Sequence, residues 1–155
     1  MVDPRRALVE DMQLALRSEL GARTLYPLLR RRTSDPELRL VLERMTEDER
    51  ELVRRLSALI AQEGGRPRQR SFRRWLASWC IAAGTLLFGL RFALRLSQDA
   101  ESAVARWYGT YRGYYLEQGD EESARVCDDL VRMKLRHAQW LETWVENSPF
   151  RRLGG

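Results

Sequence analysis

The chain has 155 residues, with 44% hydrophobic and 32% charged side chains, which suits one globular, helix-rich domain over 1–155. Its net charge of +5 comes from Arg strewn over every predicted helix with Glu and Asp between, a solvated surface and not a nucleic-acid face. Cys80 and Cys127 fit neither a disulfide framework nor metal spacing, and no apolar signal segment opens the chain, so a cytoplasmic location with reduced, buried thiols is expected.

Asp3 followed by Pro4 starts the first predicted helix, about 4–32. The Asp side chain caps free backbone N–H groups, and Pro suits the first helical position. The inner face is Leu8, Met12, Leu16, Glu19, Ala22, Tyr26 and Leu29, so Glu19 is an acid in an apolar stripe. Pro27 lacks an N–H and is expected to kink the last turn. Thr33-Ser34-Asp35-Pro36 is a stop and restart, and the second helix covers about 36–63. Its face of Leu42, Met45, Glu49, Leu52, Leu56 and Leu59 steps 3, 4, 3, 4, 3, which keeps these residues on one side. Glu49 is the single charge there, while Glu43, Glu47, Asp48 and Glu51 read as surface acids.

After Gly64-Gly65 and a basic linker, Trp75 to Leu90 carries no charge, and 71–90 is read as an apolar helical crossover. It is short for a membrane-spanning helix, which needs roughly 20 apolar residues. Arg70, Arg73 and Arg74 precede it, and Arg91 and Arg95 follow. Trp near one end and Arg on both flanks suit a segment lying in a membrane interface, with Trp75, Trp79, Leu86, Leu87 and Phe88 facing lipid. The alternative is a crossover packed over a bundle.

The third helix, about 91–116, has the seam Leu94, Ser97, Glu101, Val104, Tyr108, Tyr111 and Tyr115, with Glu101 the inward acid. Glu117-Gln118-Gly119-Asp120 is a turn, and the fourth helix covers about 121–146. Its seam of Cys127, Leu130, Lys134, His137, Leu141 and Trp144 holds the only Lys and the only His of the chain, one turn apart. A chain that writes its other cations as Arg places these two on a face meant for a core.

The layout is all-α: four helices with short first and third links and a long second one, the connectivity of ferritin-like bundles. Glu19, Glu49, Glu101, Lys134 and His137 each fall near the middle of a helix. A di-metal carboxylate site in such a bundle draws one Glu from each of two helices and a Glu-x-x-His from each of the others. Three of the four Glu are here and one of the two His; Leu52 stands in one His slot and Lys134 in one Glu slot.

Glu19, Gly21, Ala22 and Tyr26, then Glu49, the apolar Ala83–Gly89, Glu101 with Tyr108, and His137 follow in order and spacing over most of 12–145. On these residues the chain resembles the demethoxyubiquinone hydroxylase family, the ferritin-like di-iron monooxygenases of ubiquinone biosynthesis. The resemblance implies a membrane-interfacial crossover near a quinone entrance and a two-iron site at Glu19, Glu49, Leu52, Glu101, Lys134 and His137. The last set is degenerate. Leu16 replaces a further His of the family, Leu52 cannot ligate, and a Lys ammonium binds no metal unless deprotonated. Three clustered carboxylates repel one another, and Lys134 can supply the missing positive charge.

The expectation is a non-catalytic, metal-free protein, peripheral at the cytoplasmic membrane face. It would bind that surface, an isoprenoid quinone or lipid, or a partner chain of its own or another kind. The alternative is an active di-iron quinone hydroxylase in which Glu19, Glu49, Glu101 and His137 hold two Fe, with Glu47 or water filling gaps. A third reading is a soluble bundle whose partner covers the crossover.

Overall fold

The computed structural model describes residues 3–68, 84 and 88–147, and among them every regular element is a helix. The four are α1 (Pro4–Arg32), α2 (Pro36–Gln62), α3 (Leu90–Glu117) and α4 (Glu121–Asn147). Each lies within a residue of its expected bounds. The starts are capped as the sequence implies: Asp3 accepts from the Arg5 N–H, and Asp35 from those of Glu37 and Leu38. Pro27 lies inside α1, which continues past it to Arg32.

Two helix ends turn on glycine. Gly64 has φ 81°, and its N–H bonds the Ala61 carbonyl while that of Gly65 bonds Ile60. Gly119, φ 73°, closes α3 in the same way through Leu116 and, by the Asp120 N–H, Tyr115. This six-to-one, five-to-two pattern satisfies orphan carbonyls and needs a left-handed residue, which glycine adopts without a steric penalty. Asp120 then caps α4 by accepting from the Ser123 N–H.

Long-range bonds give the helix directions. Arg5 meets Glu63 and Arg30 meets Glu43, so α1 and α2 are antiparallel. Tyr26 reaches Glu101 and Tyr111 reaches Asp11, so α1 and α3 are antiparallel too. Gln62 meets Ser123 and Lys134 meets Glu49, which sets α4 antiparallel to α2. Hence α2 and α3 run the same way, and the end of α2 and the start of α3 lie at opposite ends of the bundle. Gln13, in the lower half of α1, holds the backbone of Arg66 and Arg68, whereas Leu90 packs at the upper end near Leu29 and Trp140. Most of the crossover, including Cys80, Trp75, Trp79, Leu86 and Leu87, lies outside the described residues; Phe88 is 68% exposed.

The core forms two apolar plugs. The lower one joins Met12, Leu16, Leu52, Leu56, Tyr108 and Leu130; the upper joins Leu29, Leu42, Met45, Leu94 and Leu141. Between them, at mid-depth, stands a layer of charged side chains. No helix among the described residues is long and apolar enough to cross a membrane.

Candidate functional site

The seam arithmetic places one acid on each of α1, α2 and α3 and two cations on α4, all facing inward. The fold brings the five together. Glu19, Glu49 and His137 are 0% exposed, Lys134 1% and Glu101 3%. Lys134 Nζ stands at the centre, 2.6 Å from Glu49 Oε1 and 3.0 Å from Glu101 Oε2, and also touches Glu19 Oε2. One ammonium is thus in ion-pair contact with three carboxylates from three helices, with a hydrogen bond to Glu49.

A second ring of partners surrounds this centre. Tyr108 donates its hydroxyl proton to Glu19, and Tyr26 donates to Glu101. His137 lies with Nδ1 3.4 Å from Glu49 Oε1 and 3.3 Å from Glu101 Oε2, while Nε2 is 2.9 Å from Asp48 Oδ2. Arg136 reaches the same Asp48 oxygen from outside at 3.0 Å. Asp48, read from its off-seam position as a surface acid, is in fact partly buried and joins the layer to solvent. Its one-residue step from Glu49 puts it 100° round the helix, enough to meet an imidazole on α4 but not to enter the seam. The signal that could have found it was its adjacency to Glu49, opposite the only His.

Glu47, the other acid considered as a gap-filler, is exposed and takes no part. Leu52 is fully buried within the lower apolar plug. Cys127 is a buried free thiol whose pKa burial pushes up to about 12, so it stays protonated.

Burial and charge pull the ionisable groups apart. For Lys134, burial alone would lower the pKa; Glu101, Glu19 and Glu49 more than reverse that and hold it well above the ordinary value. His137 is likewise opposed by burial and carried up to about 10 by Asp48, Glu101 and Glu49, so it is an imidazolium at neutral pH. Glu49 resists burial because Lys134 and His137 face it, and its pKa falls to about 2. Glu19 goes the other way: burial, then Glu49, raise it well above the ordinary value, and Lys134 only partly offsets them. The Oε2 atoms of Glu19 and Glu49 take no well-directed hydrogen bond from any side chain. Tyr26 and Tyr108 are pushed further up by burial and the adjacent carboxylates, so both remain donors.

The charge count then nearly closes. Glu19, Glu49, Glu101 and Asp48 face Lys134, His137 and Arg136, and the upward shift of Glu19 towards its neutral form eases the excess of one acid. Such balance is what a buried ionic group requires, since an uncompensated ion inside costs several kcal/mol.

Glu49, Glu101 and His137 do offer ligand atoms within 4.8 Å of one another. Beside them the ammonium of Lys134 stands where the carboxylates converge, and both ring nitrogens of His137 face carboxylates.

A cavity of about 210 Å³ opens between α1 and α3 beside this layer. Ser18, Gly21, Ala22, Leu96 and Ala100 stand at its walls, and Glu19, Tyr26, Glu101 and Lys134 form its floor. No known protein family, characterised protein or solved structure matches the chain.

Proposed function

We propose that this protein is a non-catalytic, ferritin-like relative of the demethoxyubiquinone hydroxylases that works at the cytoplasmic membrane face. In this reading a buried salt-bridge cluster replaces the two irons, and the bundle binds an isoprenoid quinone, a lipid or a partner chain. One observation carries it: Lys134 Nζ is held by Glu19, Glu49 and Glu101 at the centre of the bundle. An ammonium so placed does the electrostatic task of a metal ion, neutralising clustered carboxylates, without its redox or Lewis-acid chemistry.

Two further features support the reading. The helix directions, with α2 and α3 parallel and both α1 and α4 antiparallel to α2, support a ferritin-like order. Phe88, Phe92 and Leu96 make an exposed apolar ridge on α3, 68%, 53% and 43% accessible, with Arg91 and Arg95 beside it. Apolar side chains flanked by Arg suit an anionic membrane interface.

The proximity of Glu49, Glu101 and His137 favours the alternative, an active di-iron hydroxylase. Protein expressed with added iron, manganese and zinc separates the two. Metal well below one ion per chain is expected, together with co-flotation with anionic vesicles and no oxygen-dependent hydroxylation of a demethoxyquinone. About two irons per chain would overturn the proposal in favour of the hydroxylase, and failure to float would assign the apolar ridge to a protein partner.

A further inference from the structure

Helix α3 carries a second seam on the side turned away from the core. Glu101, Val104, Tyr108 and Tyr111 face inward and are buried. Leu96, Ala100, Ala103, Trp107 and Thr110 step 4, 3, 4, 3, so they share a different face of the same helix. Ala103 is half-buried and the other four are exposed. Trp107 keeps 40% of its surface open to solvent, and an indole left beside a leucine and two alanines is apolar area that gains by leaving water.

The charges beside this seam indicate what covers it. Asp99 and Arg106 lie on one flank of it and both are exposed. Neither side chain has an ion-pair or hydrogen-bond partner among the described residues. Seven residues span roughly 10 Å along a helix, too far for the two to meet within one chain. When two copies of α3 pack antiparallel about a two-fold axis near Ala103, the same flanks meet and the order along them reverses. Asp99 of each copy then lies level with Arg106 of the other. Trp107 of each copy falls between Leu96 and Ala100 of the other. Alanine at the axis lets the helices approach to about 8 Å. Other occupants match the charges less well. Residues 69–87 contain no Asp or Glu to meet Arg106, and an anionic lipid surface would face the Asp99 carboxylate.

We propose that this face of α3 is the interface of a homodimer, with α3 packed antiparallel on α3 and two Asp99–Arg106 contacts along one edge. Such a dimer needs neither ligand nor membrane, so it goes beyond the function proposed above. It shares only Leu96 with the exposed ridge at the start of α3.

Sedimentation equilibrium of the whole chain, without vesicles or detergent, should show reversible dimers in the micromolar range, as a small interface gives. Asp99→Arg or Arg106→Asp alone should weaken dimerisation about tenfold or more, because each reversal sets two like-charge contacts across the axis. The double reversal re-forms both pairs and should return the affinity to within about threefold of the parent. Trp107→Ala should weaken dimerisation about tenfold or more, since a large aromatic anchor carries much of an interface's energy. All three positions are exposed, so helix content by circular dichroism should match the parent throughout. A chain that stays monomeric at every concentration overturns the inference. So does a dimer indifferent to Trp107→Ala or to the single reversals, or a double reversal that fails to recover. Vesicle flotation is measured separately, so the membrane reading and the dimer can fail independently.

Discussion

Lys134 and Glu19 show how one side chain's chemistry is written by its neighbours. Lys134→Ala leaves Glu49, Glu101 and His137 around an empty centre, and breaking a buried ion pair from one side costs about 3–5 kcal/mol. Denaturant unfolding at pH 7 should show that loss; an unchanged midpoint would mean the carboxylates do not need the amine. The two acids nearest it should respond unequally. The upward shift of Glu19 favours its neutral form, whereas Lys134 and His137 hold Glu49 ionised. Glu19→Gln should therefore cost less than Glu49→Gln, which removes a carboxylate facing both cations and should cost about 3 kcal/mol or more. Equal losses in the two variants would show that the two acids carry the same charge. Nothing in the one-dimensional order distinguishes these acids, since each is a lone Glu in an apolar heptad seam; only their distances to one another and to Lys134 do.

The helices themselves were legible. Asp-Pro starts, glycine stops and apolar spacing set the bounds to within a residue, because caps and periodicity are local properties. Gly119 illustrates this: with φ 73° between α3 and α4, it occupies a turn that a Cβ strains. Gly119→Ala should destabilise by about 1–2 kcal/mol, read as a lower melting temperature with unchanged helix content after cooling. No Cβ contact stands within 4 Å of it, so a loss would report backbone strain alone, and no loss would show the turn relaxing. Asp48 was missed. Seam logic sorts residues into in and out, whereas a residue at the seam's edge can lean onto a neighbouring helix.

Two apolar plugs above and below the charged layer make its protonation part of the stability of the entire fold. The signs follow from which state holds more protons. His137 rises from 6.5 to about 10 on folding. Its contribution is therefore complete below pH 6.5 and is lost as pH climbs towards 10. Glu49 falls from 4.5 to about 2, so its contribution is present above pH 4.5 and is lost as pH drops towards 2. Glu19, raised well above 4.5, holds a proton that the unfolded chain gives up, and so subtracts stability as pH rises beyond 4.5. Stability should therefore peak near pH 4.5, falling below it with Glu49 and above it first with Glu19 and then, beyond pH 6.5, with His137. In Glu19→Gln the decline just above pH 4.5 should be shallower. Melting temperatures measured from pH 3 to 10 check this, and a level profile would contradict charge burial at the centre.

Four helices, their bounds, and the presence of inward Glu19, Glu49, Glu101, Lys134 and His137 could all be read from residue order. Periodicity and capping act over a few neighbouring positions, and an acid on an apolar stripe is visible wherever the stripe ends up. That Lys134 becomes the common partner of three acids, that Glu19 and Glu49 are shifted in opposite directions, and that Asp48 reaches His137 required the packed molecule. These are consequences of distances of about 3 Å between groups as far apart in the chain as Glu49 and Lys134. Electrostatic energy depends on that separation and on the exclusion of water, and neither exists until the helices meet.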